Sequence, residues 1–174
     1  MESRVKLFGH PLHQMLIVFP IGLLATSVVF DLISLFGDSA SAATVAHALI
    51  AAGLVGGALA APWGYMDWLA IPHGTRAKAI GAMHGGGNVL VLLLFTASWW
   101  LRLDEPGQAP MLAHLLSFCG ASIALVTAWL GGELVDRLGD RLGVGVSPHA
   151  HLNARNSLAG PAEPPPETSS VRVH

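Results

Sequence analysis

Four apolar stretches, each about as long as a bilayer is thick, leave this chain little room for a soluble architecture. They occupy residues 14–36, 41–62, 79–101 and 111–135. A helix rising about 1.5 Å per residue needs roughly 20 apolar residues to cross a hydrocarbon core of about 30 Å. Short connectors make consecutive spans antiparallel neighbours, so the expected fold is all-α, a transmembrane four-helix up-and-down bundle. Composition agrees, because only 11% of the residues are charged and 52% are hydrophobic, whereas an ordinary soluble domain is about 25% charged. A net charge of −2 offers no basic surface to nucleic acid. Cys119 is the sole cysteine, which rules out an intramolecular disulfide and any cysteine-based zinc or iron–sulfur site.

Lysines and arginines orient the bundle. Arg4 and Lys6 precede the first span, Arg76 and Lys78 separate the second from the third, and Arg137, Arg141, Arg155 and Arg172 follow the fourth. Arg102 alone falls on the opposite side. By the positive-inside rule both termini are expected in the cytoplasm, with Trp99 and Trp100 in an outer aromatic belt and Trp63, Tyr65 and Trp68 in an inner one. The first apolar run exceeds the 7–15 residues typical of a signal-peptide core, so it reads as an uncleaved span. From Ser147 the apolar pattern stops, and residues 147–174, with the segment Ala159-Gly160-Pro161-Ala162-Glu163-Pro164-Pro165-Pro166, read as a disordered cytoplasmic tail. His149, His151 and His174 lie there and read as solvated side chains.

Ionisable groups are costly inside a membrane, so each one in a span is a functional hypothesis with a bland alternative beside it. Mapped by depth, they form two levels. At the cytoplasmic level stand His10 and His13 before span one, His84 and Asn88 one turn apart on span three, Glu133 near the end of span four, and Asp67 in the loop expected after span two. At the opposite level stand Asp31, His47 and His114, each from a different span. A helix beginning at Pro11 would put His10 and His13 on one face. Pro20 should kink span one, and Gly85-Gly86-Gly87 beside His84 would clear space either for a flat ligand or for close helix packing.

Histidines at one depth on facing helices suit haem b, whose iron takes axial imidazoles, or a transition metal. That reading uses His10, His13 and His84 as ligands, with Asn88 and Glu133 orienting the imidazoles, and His47 with His114 as a second site. The competing reading is a cofactor-free structural or accessory membrane protein, in which His84 and Asn88 bond between helices, Glu133 pairs with His13 or His84, and Asp67 pairs with Arg76 or Lys78. Ion or proton movement through Asp31, His84 and Glu133 is a third, opposed by the apolar run Val89-Leu90-Val91-Leu92-Leu93-Leu94-Phe95. No serine or cysteine occupies a nucleophile motif, which leaves a hydrolase unsupported. Beyond the lipid bilayer, a second copy of the chain or a membrane redox partner are the candidate partners.

Three segments carry a resemblance. GHPLHQMLIVFPIGLLATSVVFDL, GYMDWLAIPHGTRAKAIGAMHGGGN and WLGGELVDRLG, followed by GVGV, resemble the bacterial membrane family catalogued as domain of unknown function 2231, over about Gly9 to Val146. The resemblance implies a four-span protein of the bacterial inner membrane and assigns no activity. Its motif residues fall here on His10, Pro11, His13, Asp31, Gly64, Asp67, His84, Asn88, Gly131, Gly132, Glu133 and Leu134. The family's second proline is Gln14 here, which implies a looser first turn around His13. The segment Asp136 to Gly143 resembles a short duplication that lengthens the cytoplasmic exit.

Overall fold

The computed structural model describes residues 6–7 and 10–141, with side chains from residue 12 to residue 134. The expected tail, residues 147–174, and the GVGV motif lie outside the described residues. A two-residue pairing of β1 (Lys6–Leu7) with β2 (His10–Pro11) precedes an otherwise helical chain. Helices α1 (Leu12–Leu16), α2 (Val18–Gly37), α3 (Ala40–Leu69), α4 (Arg76–Trp100) and α5 (Met111–Arg141) follow. The four stretches Leu12–Gly37, Ala40–Leu69, Arg76–Trp100 and Met111–Leu134 are each long and apolar enough to cross a membrane.

Local chemistry explains the helix ends. Asp38 closes α2 in the left-handed region at φ 48°, a conformation that aspartate tolerates better than most residues. Ser39 then caps α3, its hydroxyl accepting from the Ala42 amide at 3.3 Å. Thr75 caps α4 likewise, accepting from the Lys78 amide at 3.2 Å. The first span breaks at Ile17, three residues before Pro20. Pro20 cannot donate to a carbonyl one turn back, and the break falls in that turn.

Two expected boundaries need correction. The helix begins at Leu12 rather than Pro11, so His10 sits in β2 and does not share a helical face with His13. Helix α3 runs through Pro62 to Leu69, seven residues beyond the expected end. Asp67 is therefore in the last helical turn and not in a loop. Neighbouring helices supply the packing that lets a membrane helix continue past a proline. Beyond it, the Trp68 indole donates to the Lys78 carbonyl at 3.1 Å while the Lys78 ammonium donates to the Trp68 carbonyl at 2.7 Å. The same ammonium lies 3.8 Å from the Trp68 ring centroid. This reciprocal clamp fixes the 70–75 connection.

Helices α2 with α3, and α4 with α5, form the two most extensive interfaces, while α3 meets α4 over a shorter seam and α2 meets α5 over the shortest of the four. Leu24, Ile50, Val91 and Phe95 make the buried centre. Phe19, Phe36, Val55, Leu59, Leu93 and Leu125 point outward, all exposed, as expected when the solvent around the bundle is lipid. Glycines set the spacing. A Cβ at Gly53 would lie 2.7 Å from Leu24, and one at Gly57 would lie 2.6 Å from Leu92, so the Gly53-xxx-Gly57 pair admits one side chain from each neighbouring helix.

Candidate functional site

Polar side chains gather at both ends of the bundle. We call the end bearing the 101–110 loop the upper end and the other the lower end. At the upper end Arg102 is completely buried at 0% exposure, and so is Asp31. Arg102, one residue past the α4 C-cap, reaches across to α2 and donates Nη1 and Nη2 to the two Asp31 carboxylate oxygens at 2.5 and 2.9 Å. Nη2 also lies 3.1 Å from both Ser98 Oγ on α4 and Ser117 Oγ on α5. Ser98 in turn donates to the Ala113 carbonyl at 2.7 Å and sits 2.8 Å from Ser117. His114 extends the cluster, with Nε2 3.3 Å from Ser34 Oγ and 4.0 Å from Asp31 Oδ1. Three helices thus meet around one ion pair whose charges cancel. A charge pair withdrawn from water costs free energy unless its geometry is good and its remaining donors are met; here two hydroxyls meet Nη2, while Nε has no partner among the described residues.

His47, expected at this level, lies beside the cluster and not in it. Its imidazole stacks on the Trp99 indole with centroids 5.4 Å apart. His47 and His114 thus engage different neighbours. Both nitrogens of His114 are already engaged, Nδ1 with the Pro110 carbonyl at 3.2 Å and Nε2 with Ser34.

The lower end holds two separate imidazole locks. The His13 Nδ1 donates to the Ala60 carbonyl of α3 at 3.0 Å, and the ring fits because a Cβ at Gly64 would stand 2.7 Å from it. The His84 Nδ1 donates to the Thr127 carbonyl of α5 at 2.7 Å. Its Nε2 lies 3.1 Å from the Asn88 amide nitrogen, and the Thr127 hydroxyl donates to Asn88 Oδ1 at 3.0 Å. A closed ring of hydrogen bonds results, and it ties α4 to α5. Two glycines make room for it, since a Cβ at Gly87 would lie 2.3 Å from Thr127 Cγ2, and one at Gly131 would lie 3.0 Å from His84. Gly85 and Gly86 face open space instead. Of the glycine triplet, Gly87 alone has the packing role.

At this level His13 and His84 bond different neighbours, Ala60 and Thr127. Among the described residues no group of three or more His, Cys, Asp or Glu side chains could hold a metal ion, and no hydrogen bond links His13 to His84. Glu133 lies 3.9 Å from Arg76 Nη2. The side chain of His10 lies outside the described residues.

Sequence reasoning passed over Arg102, Ser98, Ser117, Ser34 and Thr127. Arg102 falls one residue past the expected end of span three, where it counts only toward orientation. A signal was present all the same, because Ser98 and Arg102 stand four residues apart at the depth of Asp31.

The fold and its internal polar layers define a class, the four-span all-α membrane bundle with charge buried near one end. Within that class the chain belongs to the family described as predicted membrane protein (DUF2231), whose model matches residues 9–147. No curated protein and no solved structure matches the chain.

Proposed function

We propose that this is a multi-pass protein of the bacterial inner membrane, with cytoplasmic termini, a membrane domain over residues 1–146 and a tail over residues 147–174. In this reading its intramembrane histidines serve the architecture of an accessory or structural bundle and not a catalytic centre. One observation carries the reading. His13, His84 and His114 each bond a residue of another helix, Ala60, Thr127 and Ser34 respectively. Orientation has its own support, since Arg102, the one positive side chain on the outer side, is spent on Asp31 inside the bundle. The remaining lysines and arginines of the sequence all fall on the cytoplasmic side in the expected topology.

A second reading keeps His13 and His84 as ligands for haem b or a transition metal, with Asn88 and Glu133 as orienting groups. It is favoured by the same Nδ1-to-carbonyl bonds, which ligating imidazoles also make and which leave Nε2 to carry the lone pair. Against it, the His84 Nε2 is bonded to Asn88. A reduced-minus-oxidised absorption spectrum with metal analysis separates the two. The architectural reading expects a flat spectrum and no stoichiometric metal from protein purified in mild detergent from haem-sufficient cells. A sharp α-band that disappears in His84→Ala would overturn it.

A further inference from the structure

The first and second pairs of spans match each other position by position. Moving the first span 71 residues along the chain, onto α4, brings His13 to His84, Leu23 to Leu94, Ser27 to Ser98 and Asp31 to Arg102. Moving α3 by 67 residues, onto α5, brings Ala46 to Ala113, His47 to His114, Gly53 to Gly120 and Gly64 to Gly131. Burial keeps the same registers. Pro20, Leu24, Ser27 and Asp31 are buried on α2, and so are their mates Val91, Phe95, Ser98 and Arg102.

Contacts repeat as well. The His13 ring donates to the Ala60 carbonyl and rests against Gly64, while the His84 ring donates to the carbonyl of Thr127, the mate of Ala60, and rests against Gly131. A Cβ at Gly53 would meet Leu24 at 2.7 Å and Leu23 Cβ at 3.5 Å; one at Gly120 would meet their mates, Phe95 at 2.9 Å and Leu94 Cβ at 3.5 Å. Shared apolar composition does not supply the same partners at the same offsets in both hairpins. A repeated unit does.

A unit of two antiparallel spans sets both copies the same way up, related by a two-fold axis along the bundle. On such an axis a position meets its own mate. Asp31 and Arg102 are mates, and they bond each other. His47 and His114 reach across to the other hairpin, His47 onto Trp99 and His114 to Ser34. The charges at the axis then decide which copies fit together. Two first hairpins would bury Asp31 against Asp31 and two second hairpins Arg102 against Arg102, and like charges buried together are strongly disfavoured.

We propose that the chain is a tandem duplication, its hairpins being copies of one two-span unit that pairs with itself about a two-fold axis, and that Asp31 and Arg102 at that axis determine which copies pair. Equivalent positions make the ion pair reversible, and thermal unfolding of the full chain in detergent tests it. Asp31→Arg with Arg102→Asp moves the guanidinium to α2, where Ser27, the mate of Ser98, is already in place but Ile50 stands where Ser117 stood. Either single reversal should melt well below this double reversal, and a single reversal that yields no folded protein takes the lowest rank. Ile50→Ser should raise the melting temperature of the double reversal, by returning the missing hydroxyl. The same change in the wild type should lower it, because there it only removes Ile50 from the buried centre. A double reversal that does not fold, or that melts no higher than the single reversals, overturns the proposal. An Ile50→Ser change that fails to raise the double reversal overturns it too.

Discussion

Arg102 and Asp31, 71 residues apart in sequence, meet through both carboxylate oxygens with neither side chain reaching the surface. The pair joins α2 to the end of α4, two helices that share no extensive interface of their own. It also brings in Ser98 and Ser117, so that one guanidinium organises three helices.

Removing one partner of this pair should be far worse than removing both. Arg102→Ala leaves a buried carboxylate without its counter-charge, a change that costs about 3–5 kcal/mol in comparable buried pairs. Asp31→Leu combined with Arg102→Leu should recover most of the loss, because two apolar side chains need no partners. Thermal unfolding in detergent measures both. Equal stability of the single and double variants would show that the pair does not carry the upper end.

The α4–α5 lock predicts a steric rescue. Gly87→Ala places a methyl against Thr127 Cγ2, where a Cβ would be 2.3 Å away, and should destabilise by about 1–3 kcal/mol. Thr127→Ser removes that methyl and keeps the hydroxyl that bonds Asn88. The double variant should therefore unfold later than Gly87→Ala alone. Gly86→Ala is the control, since nothing lies within 4 Å of its Cβ position, and it should be neutral or slightly stabilising.

Hydrogen bonds between membrane helices average about 0.6 kcal/mol and reach about 1.7. His84→Ala removes the bond to Thr127 and the support of Asn88, so a loss near the upper part of that range is expected. His13→Ala removes the single bond to Ala60 and should cost less. Denaturant unfolding of the two variants side by side checks the ranking.

The proposed topology is open to direct labelling. With Cys119 replaced by serine, a cysteine at Gln108 should react with an impermeant thiol reagent added to intact cells. A cysteine at Gly74, in the α3–α4 connection, should react only after the membrane is opened. The reverse pattern would invert the bundle.

Hydropathy made the four spans legible, because lipid-facing leucines and valines write length and composition directly into the sequence. The ends were less legible. Pro62 looks like a stop, but a stop in water is not one in a packed membrane helix, and the Trp68–Lys78 clamp that holds the extension is a tertiary contact between helices. Depth mapping put Asp31, His47 and His114 at one level, and His114 Nε2 lies 4.0 Å from Asp31 Oδ1. It missed Arg102 because counting positive charges for orientation assigns every arginine to a loop. It also grouped His10, His13 and His84 by depth alone. Depth says nothing of azimuth, and the rings of His13 and His84 face different neighbours, Ala60 and Thr127.

Helices α2 and α3 make one hairpin, and α4 and α5 make another. Asp31 belongs to the first, Arg102 to the second. Either hairpin taken alone therefore holds one member of the buried pair without its partner. The two halves are complementary in charge, and only their union is electrically quiet.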